Sequence, residues 1–161
     1  MTLGAQIDSY IDCYEPAIAK QFRAARAYLR KLFPRGYELV YDNYNALGIG
    51  YSYSDKSSGV VASVVAYPRW VSIFFFNGAT LKDPDNLLRG SGKKIRHLVL
   101  QPNAAVGDRS VRTLLSQTVK ATEFSFADKA KRVTLIKAAL THKRPRRPTR
   151  GVARAARKTK S

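Results

Sequence analysis

The longest runs of β-forming apolar residues, with few polar positions among them, lie between Val60 and Leu100. It contains the run VVASVVAY, a turn at Pro68 and the run WVSIFFF, and two β-rich runs joined by a short turn predict a hairpin. Because proline fits an ordinary turn and not a primed two-residue one, the predicted register pairs Ala66 with Val71. Alternation then gives the hairpin one face of small apolar residues and one face of aromatic residues with two serines. The later run IRHLVL predicts a neighbouring strand.

Apolar residues at helical spacing appear on both sides of the hairpin. Before it, the second of two predicted helices begins at Pro16, and after it Asp108 is the predicted N-cap of a third helix. The predicted elements are helices at residues 3–13, 16–33, 108–122 and 126–140, and strands at residues 37–41, 47–53, 60–67, 70–76 and 95–100. This order predicts an α+β two-layer sandwich, in which helices pack on one face of an antiparallel sheet of four to five strands.

The regular pattern ends near Thr141, where the sequence becomes KRPRRPTRGVARAARKTKS. This stretch combines dense positive charge with two prolines, and Val152 is its only large apolar residue. Such a composition cannot bury enough apolar surface to fold alone. We therefore expect one domain over residues 1–142 and a disordered polybasic tail over residues 143–161.

Charge is the most unusual feature of the composition. The 161 residues include 29 Lys and Arg against 11 Asp and Glu, which gives a net charge of +18. The tail has nine basic and no acidic residues, and residues 1–142 have 20 basic and 11 acidic residues. A chain with this charge attracts polyanions such as nucleic acid or an acidic membrane surface.

The remaining composition narrows the class of protein. The single cysteine, Cys13, excludes an internal disulfide framework. No apolar run approaches the roughly 20 residues that span a bilayer, and the first residues lack the basic and apolar regions of a secretory signal. We expect a cytoplasmic protein without a transmembrane segment.

The loop after the hairpin, NGATLKDPDNLLRGSGKKIRHLVL, resembles the YdhG-like family of bacterial domains. The resemblance rests on Asn77-Gly78-Ala79, Leu81-Lys82-Asp83-Pro84, the segment from Leu87 to Lys93, and the basic-hydrophobic run from Lys94 to Leu98. It covers roughly residues 5–122 and leaves the basic tail outside. The resemblance implies a frataxin-like fold, which is a two-layer α/β sandwich.

Frataxin-type folds are associated with iron, so the resemblance also implies an iron-binding or iron-delivery alternative. The candidate ligands are Asp8, Asp12 and Glu15, which lie about one helical turn apart and offer oxygen ligands. The alternative interpretation is a solvent-exposed helix face whose negative charge balances nearby basic residues. No other cofactor is predicted.

The polybasic tail is the strongest functional signal in the sequence. Arg and Lys interleaved with Pro, Ala and Gly are typical of arms that bind a nucleic-acid backbone without reading its bases. The candidate residues in the tail are Lys143, Arg144, Arg146, Arg147, Arg150, Arg154, Arg157, Lys158 and Lys160. A solvated tail and attraction to a membrane surface are the alternatives.

Two further stretches suit nucleic acid. Glycines around Gly90-Ser91-Gly92 can turn backbone N–H groups toward a phosphate, with Arg89, Lys93, Lys94 and Arg96 nearby, although a structural turn is the alternative. The aromatic hairpin face offers a base-stacking platform made of Tyr67, Trp70, Phe74 and Phe76. The alternative is an apolar interface, including one that forms a homodimer.

The preferred function is therefore a non-enzymatic protein that binds nucleic acid or another polyanion independently of sequence. The alternatives are the iron protein and a small-molecule-binding domain with a pocket near Asn77–Lys94. The sequence has no Ser/His/Asp signature and no Cys-Cys zinc spacing, and it offers only Cys13, His97 and His142 as isolated candidates for catalysis.

Overall fold

The structure is a computed structural model that describes residues 1–102 and 106–148. Its helices are α1 (Leu3–Ile11), α2 (Pro16–Leu32) and α3 (Arg109–Phe126). Its strands are β1 (Tyr37–Asp42), β2 (Leu47–Ser52), β3 (Val60–Ala66), β4 (Val71–Phe75), β5 (Arg96–Leu100) and β6 (Val133–Ala139). Short 3₁₀ turns lie at Ser57–Gly59 and Gly78–Thr80.

The strands form one sheet in the order β5-β4-β3-β2-β1-β6. All neighbours are antiparallel except β1 and β6, which are parallel. The helices lie on one side of this sheet, so the predicted α+β two-layer architecture is confirmed. The sheet of the described residues has six strands, whereas the sequence predicted four to five.

The hairpin has the predicted register. Ala66 pairs with Val71, and Val64 pairs with Ile73, as alternation from the Pro68 turn requires. The small apolar face of β3 and β4 is fully buried beneath the helices. The side chains of this face pack against Phe22 and Leu29 in one hydrophobic core. Both residues belong to the apolar stripe of α2.

A buried ion cluster links α2 to β1, the strand next to the β6 edge of the sheet. Glu38 of β1 is completely buried and accepts two hydrogen bonds of 3.1 Å from Arg26, with Arg30 also bound. The Tyr51 hydroxyl donates to the same carboxylate at 2.7 Å, and the Thr134 hydroxyl donates at 2.8 Å. All the lone pairs of this carboxylate thus have partners, which is the condition for tolerating a buried charge.

The predicted helix over residues 126–140 is wrong. Helix α3 continues to Phe126, and Val133–Ala139 forms strand β6 on the free edge of β1. The β-branched residues Val133, Thr134 and Ile136 suit a strand, and the short apolar run also fits helical spacing. The pairing with β1, almost 100 residues away in sequence, decides between these two structures.

The first residues of the predicted tail lie against the folded domain. Residues 143–148 contact the folded domain, and Arg146 is only 7% exposed. Burial of an arginine requires partners, and the chain supplies them in Asp42 and in nearby backbone carbonyls. The rest of the predicted tail, residues 149–161, lies outside the described residues.

Candidate functional site

The sheet face opposite the helices carries an open groove. In β2, Gly48 and Gly50 alternate with the buried Leu47, Ile49 and Tyr51, so the two glycines face away from the core. The neighbouring outward residues of β3 also have short side chains. Together they leave a depression of about 1400 Å³ across the middle of this face.

The lining of this groove is aromatic and basic, and it includes no Asp or Glu among the described residues. The aromatic members come from β1, from the turns at both ends of the hairpin and from the β1–β2 turn. They are Tyr41, Tyr44, Tyr67, Trp70 and Phe76, and the basic members are Arg69, Arg144 and Arg147. Positive charge beside exposed aromatic rings is the chemistry of single-stranded nucleic-acid sites.

The hairpin turn presents a stacked aromatic pair at the groove. The backbone N–H of Tyr67 donates to the carbonyl of Trp70 at 2.9 Å, which closes the turn. The two rings then stack with centroids 4.8 Å apart and planes 26° apart. Trp70 is 40% exposed, and burial raises the pKa of the Tyr67 hydroxyl, which therefore stays neutral. The pair offers a flat apolar surface to solvent.

The residues after β6 form the opposite wall. Lys143 and Arg146 both bind the buried Asp42 carboxylate at the end of β1. This anchor holds Arg144 over the Tyr44 ring, with the guanidinium carbon 5.7 Å from the ring centroid. The sequence analysis did not identify Asp42 as the anchor. Asp42 ends a mostly buried strand, and a buried carboxylate needs a basic partner.

The Tyr41 hydroxyl is a polar group at the groove without a hydrogen-bond partner. It is the one buried side-chain oxygen or nitrogen in residues 1–102 and 106–148 that lacks one. Burial raises the pKa of this hydroxyl, and the nearby Ser57 hydroxyl lowers it in part without reaching hydrogen-bond geometry. An unpaired buried hydroxyl costs free energy, so it favours a ligand that supplies a partner.

Three of the four predicted stacking residues line the groove together, namely Tyr67, Trp70 and Phe76. Phe74 does not line it and instead stacks on His97 of β5, with centroids 5.1 Å apart. This second pair follows from the register, because Phe74 and His97 are direct cross-strand neighbours. The predicted stacking residues therefore lie at two separate places, three in the groove and Phe74 beside β5.

The predicted anion site around Gly90 is only partly assembled. Arg89 and Arg96 donate to carbonyls of their own loop, among them Asn86 at 2.8 Å and Ile95 at 2.8 Å, so both guanidinium groups organise the loop. Lys93 and Lys94 are exposed and form no ion pair within the part of the chain described. The two arginines thus stabilise the loop, and the two lysines extend into solvent beside it; binding of an anion here stays a prediction.

The basic residues of the predicted tail differ in what they contact. Arg146 is buried on Asp42 and is not available to a phosphate, and Lys143 shares that carboxylate. Arg147 donates to the carbonyls of Cys13 and Tyr14 at 3.2 and 3.0 Å. Arg144 is exposed and faces the groove. Arg150, Arg154, Arg157, Lys158 and Lys160 lie outside the described residues.

The acidic residues predicted for iron are paired with arginines. The Arg23 guanidinium lies 2.6 Å from Asp12 and 3.8 Å from Asp8, and Arg147 lies 3.9 Å from Glu15. The described residues contain no group of three His, Cys, Asp or Glu side chains that could hold a metal ion. The three carboxylates therefore do not converge on one site.

The isolated candidates for catalysis have local contacts. The Cys13 thiol donates to the Ser9 carbonyl at 3.4 Å, while the His97 ring stacks on Phe74 and the His142 ring lies 5.7 Å from Tyr44.

No helix in the described residues is long and apolar enough to cross a membrane.

Comparison with known proteins found no matching family model, no matching curated protein and no matching solved structure. The resemblance to the YdhG-like family stays a prediction.

Proposed function

We propose that this protein binds single-stranded nucleic acid without sequence preference, in the groove on the uncovered sheet face. The observation that carries the proposal is the exposed Tyr67–Trp70 stack in a groove whose charged lining residues are all arginines. Every base has a π-face, so aromatic stacking holds bases of any identity. The arginines hold phosphates, which carry no sequence information.

The polybasic sequence adds to the same surface. The anchor on Asp42 brings Pro145 and Pro148 into the groove lining, and five further basic residues follow position 148 in the sequence. Each phosphate that these basic residues neutralise releases counterions and makes the salt dependence of the binding constant steeper. The groove and the basic segment then bind the same nucleic-acid strand as two linked sites.

Single strands fit this surface better than duplexes. A stacked ring pair can contact a base face only when that face is not already covered by a neighbouring base. The described groove also lacks a helix or protruding ribbon of the kind that enters a DNA major groove. We therefore expect a preference for single-stranded over double-stranded probes of equal length.

The test is fluorescence anisotropy of a labelled oligothymidylate of about 20 nucleotides, long enough for one or more sites of this kind, against a matched duplex. The full chain is titrated at several salt concentrations between about 50 and 200 mM. We expect tighter binding of the single strand and quenching of Trp70 fluorescence on binding. Absence of saturable binding at physiological salt would overturn the proposal.

Two full-length variants separate the contributions. Trp70→Ala removes the stacking surface and should weaken binding by about 1–3 kcal/mol, whereas Phe124→Ala, at a 90% exposed site on α3 outside the groove lining, should not. Replacing the five basic residues after position 148 by Gln should reduce the salt slope by up to about 3.5. If only the second variant matters, the groove is not the binding site.

A further inference from the structure

A second cavity, of about 470 Å³, lies between α3 and the loop that follows β4. Its walls come from four parts of the chain: residues 53–58, the start of β3, residues 76–95 and one face of α3. Its volume falls within the range of about 300–1,000 Å³ typical of small-molecule sites. The nucleic-acid proposal does not use it.

The cavity wall is mainly apolar. Val61, Leu81 and Ala121 line the cavity, and so do Tyr53 and Ile95, whose large side chains remain 38% and 44% exposed. Large apolar side chains left exposed around a concavity are an energetic cost that an apolar ligand relieves.

The three threonine hydroxyls of the wall, among its six hydroxyl groups, already donate hydrogen bonds. Thr118 and Thr122 donate to carbonyls of their own helix at 3.1 and 2.7 Å, and Thr80 donates to the Asn77 carbonyl at 2.8 Å. The threonines of α3 and of the loop after β4 therefore have no hydroxyl proton left for a ligand, and the wall beside them is apolar. An apolar body fits these surroundings better.

Charge at the cavity comes from one residue. Lys94 is the only charged side chain in the lining, and its ammonium group has no ion-pair partner in the residues that the structure describes. Its exposed position places it at the opening, where one anionic group can meet it while staying partly hydrated. A polyphosphate needs more than one cation, so a single negative charge is the better match.

We propose that this cavity binds a small amphipathic monoanion: an apolar body against Val61, Leu81 and Ala121, with one carboxylate or sulfonate group at Lys94. The site is separate from the Tyr67–Trp70 stack, although Phe76 lines both depressions. Binding of such an anion does not depend on whether the protein binds nucleic acid.

The first experiment titrates the full chain with 1-anilinonaphthalene-8-sulfonate and displaces this fluorescent probe with decanoate. Ala121→Phe places a ring in the cavity from an exposed helix position, so the fold is retained. The matched control, Gly48→Val, occupies the sheet groove instead. We expect Ala121→Phe to abolish saturable probe binding and Gly48→Val to leave it unchanged. The reverse result would locate the probe in the sheet groove and overturn the inference.

The second experiment tests the charged end. Lys94→Gln should weaken decanoate by about two- to fivefold, the effect of one exposed ion pair, and should leave the affinity for decanol unchanged. Lys93→Gln is the control, because Lys93 is equally exposed but does not line the cavity. Equal effects of the two substitutions, or equal weakening of decanoate and decanol, would contradict the role of Lys94. Near-ultraviolet circular dichroism confirms that each variant keeps its tertiary packing.

Discussion

The guanidinium of Arg146 donates from Nη2 to Oδ1 of Asp42 at 2.9 Å, joining residues 104 positions apart. Both side chains are buried, with 7% and 1% of their surfaces exposed. The Arg146 guanidinium also lies 5.7 Å from the centroid of the Tyr14 ring and donates to the carbonyls of Asn43 and Tyr44. The segment after β6 is thus part of the fold and forms a wall of the groove.

Loss of this anchor should destabilise the protein. Arg146→Gln leaves the Asp42 carboxylate buried with Lys143 as its one ion-pair partner in residues 1–102 and 106–148, and breaking a buried pair costs about 3–5 kcal/mol. The free energy of unfolding from urea titration measures this. The neighbouring Arg144→Gln, at an exposed site, should change it by less than about 0.5 kcal/mol. Equal small effects would mean that the segment is not anchored at Asp42.

The Glu38 cluster should make the protein sensitive to acid. Burial alone would raise the pKa of this carboxyl, but hydrogen bonds and charge from Arg26 lower it below the usual glutamate range. A lowered pKa in the folded state contributes stability above the unfolded-state pKa, and this contribution is lost as the pH falls through the folded-state value. We expect the urea midpoint to fall steeply below the ordinary glutamate pKa.

The matched test is Glu38→Gln beside Glu123→Gln. Glu38→Gln removes the titrating group and should flatten the acid limb of the stability profile, while lowering stability at neutral pH by about 3–5 kcal/mol. Glu123 is exposed on α3, and its substitution should leave the profile unchanged. An unaltered acid limb in Glu38→Gln would show that other carboxylates control acid unfolding.

Two glycines on the groove side of β2 should respond in opposite ways. A Cβ at Gly48 meets only Val65 Cγ2 at 3.8 Å, so Gly48→Val should be neutral or stabilise the strand by up to about 1 kcal/mol. A Cβ at Gly50 lies 2.9 Å from Val60 Cγ1, and Gly50→Ala should cost about 1–3 kcal/mol. Thermal unfolding distinguishes them. Gly48→Val should also weaken oligothymidylate binding, because its side chain occupies the groove floor.

The end of α3 offers a matched aromatic pair. Phe126 is 8% exposed and its ring centroid lies 5.4 Å from that of Phe33, whereas Phe124 is 90% exposed. Phe126→Ala should lower the free energy of unfolding by about 3–5 kcal/mol, the usual cost of deleting a buried ring. Phe124→Ala should change it by less than about 0.5 kcal/mol. Similar values for the two would contradict the helical continuation to Phe126.

Local pattern was sufficient for much of the fold. The pairing of Ala66 with Val71 follows from a turn proline and strict alternation, both of which lie within a few residues of each other. The start of α2 at Pro16 and its buried stripe likewise depend on local spacing. Three of the five groove aromatics, Tyr67, Trp70 and Phe76, were also identified, because the same alternation places them on one side or in the turn.

Contacts between distant segments decided the rest. The run after α3 fits a helix or a strand equally well by spacing, and it becomes β6 because β1 offers a free edge and Glu38 accepts a hydrogen bond from Thr134. Lys143 and Arg146 have the composition of a solvated tail, yet a buried carboxylate fixes both. The sequence therefore determined the three helices, the first five strands and the charge. The pairing of β6 with β1 and the partners of Asp42 emerged only in the tertiary structure, since these interactions join residues about 100 positions apart.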